Sequence, residues 1–433
     1  MHQDTDSGIM ASVENKRAPG APFYTPVQSP PAGTALDPAT APTLYQPLKI
    51  KDMTLQNRFV VSPMCQYSAD DGHLTDWHFS HLSQFIIRGA ALTIVEATPS
   101  LRTGESHLYE DSGLWKDSQI APLKRIVDFA HSQGQKIGIQ LGHAGRKAST
   151  LAPWLRSGGK PGIVASKEHG GWGDNVWAPS AIPVVEDDFA MPKEMSTDNI
   201  KELLQAFKDA ARRAVEAGFD TIEIHGAHGY LITSFLSPIT NHRTDNYGGS
   251  FENRTRLLFE TIAAVREVIP ASMPLLLRIS ATEWMEYTGQ PSWTLEDSIK
   301  LAKLLPAAGI DLLDVSSGGN NEAQKIEVHP YYQIDLTAKI REELKKDGIN
   351  LLLGAVGMIS NAEMAYSIVQ EGKHEANGFS TSEGHTSKAD LVLMARQFLR
   401  EPEFPLRVAH QLGVEVKWPI QYHRAGWRKN QKI

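Results

Sequence analysis

The chain has 433 residues, 41% of them hydrophobic, and a net charge of −7, which is enough apolar material for one large barrel or two ordinary domains. That balance excludes a basic surface for nucleic acid or an acidic membrane, and no apolar run reaches the ~18 residues of a spanning helix. The single cysteine, Cys65, excludes an intrachain disulfide and a four-thiolate iron–sulfur cluster or zinc site, and is expected of a protein of the reducing cytoplasm.

Residues 1 to 43 are rich in proline and glycine, as in Ala18-Pro19-Gly20-Ala21-Pro22 and Ser29-Pro30-Pro31, and carry no lasting apolar periodicity. They read as a disordered or extended arm draped over the body. The arm lacks the apolar core of a secretory signal, and Asp4, Asp6 and Glu14 are untypical of a mitochondrial presequence. From residue 44 to 433 short apolar strands alternate with amphipathic helices, the pattern of repeated βα units around a parallel sheet. Eight strands are expected: Arg58 to Val61, Ala91 to Glu96, Lys136 to Leu141, Thr221 to His225, Leu275 to Ile279, Leu312 to Ser316, Leu351 to Ala355 and Leu391 to Met394. The clearest helix runs from Thr197 to Ala217, with Ser196 or Thr197 as cap, Leu203, Leu204, Phe207, Ala211 and Val215 on its apolar face, and Gly218 ending it. Eight units make the fold class α/β, a single (β/α)8 TIM barrel. A doubly wound sheet is the alternative, but no Gly-x-Gly-x-x-Gly follows a predicted strand.

In such a barrel, active-site residues lie at the C-terminal ends of the strands and phosphate binds after strands seven and eight. The fourth strand ends in His225-Gly226-Ala227-His228-Gly229-Tyr230. Neutral imidazole N–H groups can bond a carbonyl oxygen as negative charge grows on it, and a phenol remains a proton donor at neutral pH. The target is thus a polarised carbonyl compound. A zinc site is the weaker reading of His-x-x-His, because the metalloprotease pattern needs a helix and a glutamate beside the first histidine. Other strand ends carry Ser62 to Tyr67, Ala97, Gln140 and Arg278. Gly357 and the Ala395-Arg396 pair stand where a phosphate cradle belongs, although glycines there also serve ordinary turns.

Several longer segments carry a resemblance: Asn57 to Tyr67, Ile137 to Lys147, His225 to Leu236, Asn241 to Ser250 and Gln421 to Arg424. From about Leu44 to Trp427 the chain resembles the Old Yellow Enzyme family of FMN-dependent ene-reductases, specifically the thermophilic-like branch of bacteria and fungi, its fungal members in particular. The resemblance implies noncovalent FMN across the barrel mouth, with Ser62, Pro63, Met64 and Cys65 under one side, Ala97 and Gln140 at the polar edge, and Arg278 near N1. Gly357, Ala395 and Arg396 would hold the phosphate. It further implies ping-pong transfer of hydride from NADPH, preferred over NADH, to the flavin and then to the β-carbon of an activated alkene. His225 and His228 would hold the substrate oxygen, Tyr67 would add a hydroxyl, and Tyr230 would protonate the α-carbon. In this branch Arg424 enters the neighbouring subunit's site and Trp427 helps dock that tail, which implies a homodimer or a multiple of it.

The chain departs from the branch at Gln66 and Ala395, in a long loop from Ala148 to Trp177, in an insertion from Gly372 to Lys388, and at Ala425. The two loops are expected to reshape access to the mouth. Competing readings are a flavin-free phosphate-binding lyase or isomerase, which would need a lysine or carboxylate base at a strand end, and a non-enzymatic flavin-binding protein. An iron–sulfur relative would need thiolates that the chain lacks.

Overall fold

The computed structural model describes residues 15–101, 111–155, 164–169 and 171–427. Eight parallel strands close into a barrel: β1 Phe59–Val61, β2 Leu92–Pro99, β3 Lys136–Gly142, β4 Thr221–Gly226, β5 Leu275–Ser280, β6 Leu312–Ser316, β7 Leu352–Val356 and β8 Leu391–Met394. Each pairs with its neighbour in sequence, and β8 returns to β1 through Val392 opposite Phe59. All eight expected strands form. The second runs three residues further than expected, with a register shift between Val95 and Thr98.

A period of two sorts these strands. Ile222, Ile224, Leu275, Leu277, Leu313 and Val315 face the surrounding helices and join the main apolar core. The alternate positions face the barrel axis. At the bottom they are apolar, and Val60, Leu92, Ile94, Leu276 and Leu312 pack against Ile50, Met53 and Leu55 of a hairpin, Leu48–Ile50 with Met53–Leu55, that plugs that end. Nearer the top they turn polar, as Glu223, His225, Arg278, Asp314 and Ser316, all buried. One end is sealed and the other is chemical.

Helices Asp76–Ile86, Ile120–Ser132, Thr197–Ala217, Phe251–Arg266, Leu295–Ala308, Ile334–Lys346 and Ala362–Val369 belong to the outer layer. The Thr197–Ala217 helix shows why its sequence is helical. Ser196 accepts from the Asn199 amide at 3.1 Å, Leu203, Phe207 and Ala211 are buried, and Gly218 closes it at φ 94°. Among the described residues no helix is long and apolar enough to cross a membrane.

The arm, from residue 15 on, is extended and packed. Ala18, Thr25, Gln28, Ala32, Ala35 and Ala41 are buried. It is clipped to the C-terminal segment by Gly33 N–H to Lys417 O at 2.9 Å, Leu36 N–H to Glu415 O at 2.8 Å and Lys417 N–H to Thr34 O at 2.8 Å. The Gly372 to Lys388 insertion departs from expectation. It folds as a hairpin, His374–Ala376 with Phe379–Thr381, held by Tyr366 to His374 Nδ1 at 2.9 Å and Asn377 Nδ2 to Gln411 O at 2.7 Å. A segment that leads into a barrel strand lies at that strand's N-terminal end, so this insertion is remote from the mouth and does not shape access.

Candidate active site

The end of β4 positions the histidines. His225 is 5% exposed, and its Nδ1 accepts the Ala227 amide at 3.3 Å, which puts the ring proton on Nε2 and makes that nitrogen a donor. His228 follows at φ 63°, a left-handed conformation that a turn imposes; its amide donates to Ser280 Oγ at 2.8 Å and its Nε2 meets Ser316 Oγ at 2.7 Å. Lys147 Nζ grips the turn by donating to His228 O at 2.7 Å and to Gly319 O. The His225 ring centroid lies 5.3 Å from that of His228 and 4.6 Å from that of Tyr230. Burial, then Arg278 and Lys147, push His225 down to about 3, and burial with Arg278, His225 and Lys147 holds His228 well below its ordinary value. Both are therefore neutral donors or acceptors across the ordinary pH range.

A cavity of about 570 Å³ opens beside His228. Ser62, Pro63, Arg278 and His228 line its inner part, while Gly357, Met358, Ala395, Arg396 and Arg400 line its far end. Gly357 sits at φ 116°, where a side chain would be strained. Ala395, one of the departures from the branch, lies at φ −109°, outside the positive-φ region. Arg278 makes a 2.8 Å ion pair with Asp314 and reaches Ser62 Oγ at 3.4 Å, so the role of buried ion-pair partner and a place in the cavity coexist. Gln140 Nε2 donates to Glu223 Oε1 at 2.7 Å.

A smaller cleft holds Cys65, Ala97, His143 and Tyr230 together. Burial, and the charges of Asp111 and Glu96, raise Cys65 well above the ordinary thiol range, so it stays a thiol. Met64 packs, half-buried, against the main core. Tyr67 stands at φ 49° with its ring edge-on to Trp154, centroids 5.6 Å apart, in the long loop after β3. The described residues of that loop, which follow the C-terminal end of β3, lie at the mouth end.

Arg424 is apart from these groups in its own chain. It sits, exposed, in the short 3-10 segment Ile420–Ala425, which Gln28 holds through Gln421 at 2.9 Å and the Ile420 amide at 3.0 Å. Trp427 packs on Trp418 at 5.1 Å and on His410 at 5.6 Å of the same chain, so Ala425 does not prevent the tail from docking.

Glu223, Asp314, Arg400 and Gln333 escape the sequence reading. Glu223 and Asp314 were hidden inside runs that look apolar, although each stands two residues before a polar inward position, His225 or Ser316. Arg400 follows Arg396 by one helical turn, which was a usable signal.

Residues 43–415 match the NADH:flavin oxidoreductase / NADH oxidase family. The chain is 46% identical over 417 residues to NADH:flavin oxidoreductase FG08077 of Gibberella zeae, covering 94% of this chain and 95% of that one. It is 42% identical over 386 residues to NADPH dehydrogenase of Bacillus subtilis, covering 89% and 99%. Among solved structures, morphinone reductase superposes with TM-score 0.63 at 25% identity over 87% of this chain and 91% of that one. 2-Naphthoyl-CoA reductase superposes with TM-score 0.70 at 25% identity over 85% of this chain, which spans only 52% of that reductase. The chain belongs to the NADH:flavin oxidoreductase / NADH oxidase family, the Old Yellow Enzyme family, and is an NAD(P)H-dependent flavin oxidoreductase of that type.

Proposed function

We propose that the protein is an FMN-dependent ene-reductase that uses NADPH in preference to NADH and reduces alkenes activated by a carbonyl or nitro group. The observation that carries this reading is the neutral pair His225 and His228, with a fixed Nε2–H donor on His225 and with His228 lining a cavity that has arginines at its far end. The residues present fit FMN. Arg396 and Arg400, with the backbone at Gly357 and Ala395, suit one phosphate, and about 570 Å³ is within the ordinary range of ligand pockets. Ser62, Pro63, Met64, Cys65, Ala97, Gln140 and Arg278 would then surround the ring system. When bound, the flavin would supply hydride taken from the nicotinamide coenzyme.

The chain's own residues do the rest. His225 donates to the electron-withdrawing oxygen and stabilises the charge that develops there, with His228 at its side and Tyr67 contributing a hydroxyl. Tyr230, its ring tilted against that of His225 with centroids 4.6 Å apart, delivers a proton to the α-carbon. Relatives named NADPH dehydrogenase support the coenzyme preference. Arg424, exposed on a docked tail, is assigned to the site of a second copy, and the assembly is a homodimer or a multiple of it.

The test is direct. Purified protein is denatured, the released flavin is identified, and NADPH and NADH oxidation are followed anaerobically with cyclohexenone, maleimide and a nitroalkene. FMN release with enone-dependent oxidation is expected. FAD, no flavin after reconstitution, or no alkene reduction would overturn the reading.

A further inference from the structure

Level with Gln140 and Arg278 in the strand ladder lies a pair of buried acids. Glu223 on β4 and Asp314 on β6 are both 0% exposed and face the barrel axis. Arg278 stands between them on β5, opposite Asp314 in the ladder, and its Nε lies 2.8 Å from Asp314 Oδ2. Glu223 Oε1 accepts from Gln140, while Glu223 Oε2 and Asp314 Oδ1 are buried and, among the described residues, receive no N–H or O–H. The two carboxyl groups flank Arg278 from the strands on either side of it, and each bears directly on the other's protonation. If both were ionised, one guanidinium would face two buried charges, and two acceptors would meet with no proton between them, which a dry interior strongly disfavours.

We propose that Glu223 and Asp314 share one proton, with Glu223 Oε2–H donating to Asp314 Oδ1, so that the trio with Arg278 carries no net charge. Glu223 then positions Gln140, and Asp314 positions Arg278. Burial raises both carboxyl groups above their ordinary range, and Asp314 raises Glu223 further, against an opposing pull from Arg278. The neighbouring strands add no other charge to the pair: β3 presents the neutral Gln140 and β7 presents Gly354 opposite Asp314. The consequence for a bound flavin rests on the function proposed above; the shared proton does not. A neutral trio lets Arg278 offset charge on a reduced ring, whereas a trio of charge −1 would oppose reduction.

Two measurements decide it. Infrared difference spectra of the full-length protein in light and heavy water should show, at neutral pH, a protonated carboxyl band lost in both Glu223→Gln and Asp314→Asn. In the second variant Glu223 becomes the sole counter-ion of Arg278 and ionises. Reduction potentials of the bound flavin should barely move in either single variant, because each trio stays neutral, and should rise in the double variant, whose trio is +1. A band that persists in both single variants belongs to another acid, such as buried Asp111, and overturns the proposal. So does a rise in potential in each single variant, which is what two ionised carboxylates predict. If the variants fail to fold, alkaline titration of the unaltered protein must drain a carboxyl band and lower the potential together; separate or absent changes overturn the proposal. Should no flavin bind, the infrared result still stands alone.

Discussion

Replacing His225 with alanine removes one donor while leaving the cavity's arginines intact. The Ala227 amide holds Nδ1, so the only N–H that His225 presents is at Nε2, and alanine deletes it outright. Loss of a single preorganised donor to a developing oxyanion costs ~2.7–4 kcal/mol, which at ~1.4 kcal/mol per tenfold is a fall of roughly 100- to 1,000-fold in enone reduction. His225→Asn restores an N–H on a shorter side chain and should recover part of that loss. The assay is anaerobic rapid mixing of reduced enzyme with cyclohexenone, beside flavin occupancy and reduction by NADPH, both of which should be nearly unchanged. The pH profile is a second check. His225 is pushed down from 6.5 to about 3, so no histidine titration should appear in the rate between pH 5 and 9. For stability the sign follows from the same shift. Below pH 6.5 the unfolded chain takes up a proton that the folded chain refuses until about pH 3, so the His225 contribution to stability declines across that window as pH falls. A loss below tenfold in His225→Ala with flavin bound, or a rate that follows an ionisation near 6.5, would refute the neutral-donor argument.

Tyr230→Phe keeps the ring against His225 and deletes the hydroxyl, so the step with cyclohexenone should slow while flavin reduction by NADPH does not; the reverse pattern in rapid mixing ends the proton-donor assignment. Arg396→Gln removes a charged donor from the far end of the cavity, and at about 1.5–3 kcal/mol per charge-assisted bond FMN affinity should drop roughly 10- to 150-fold in a fluorescence titration, with unchanged affinity returning Arg396 to the surface. Truncation before Gln421 should weaken the dimer and lower enone activity, whereas Arg424→Ala should affect kinetics more than assembly; light scattering that finds a fully active monomer after truncation rejects the shared site. Deleting residues 1–36 breaks the three backbone bonds to residues 415 and 417, a loss of about 3 kcal/mol at about 1 kcal/mol each, and an unchanged melting temperature would show that the arm is not a clamp.

Strand periodicity, caps and turn residues determined the architecture from the sequence alone, because they are local. Ser196 and Gly218 bound their helix as read, and eight apolar runs became eight strands. The clustered residues at strand ends were equally legible, since a parallel barrel must bring the ends of its strands to one rim. The tertiary structure alone decided how those residues meet. That His225 is a neutral Nε2 donor depends on burial and on an amide two residues away, and neither is written in residue type. That Glu223 and Asp314 flank Arg278 depends on barrel closure, which brings positions 91 apart in sequence into one interior. The Gly372 to Lys388 hairpin lies at the sealed end for the same reason. Polar residues inside apolar runs reveal their purpose only when the sheet curls and gives them a common interior.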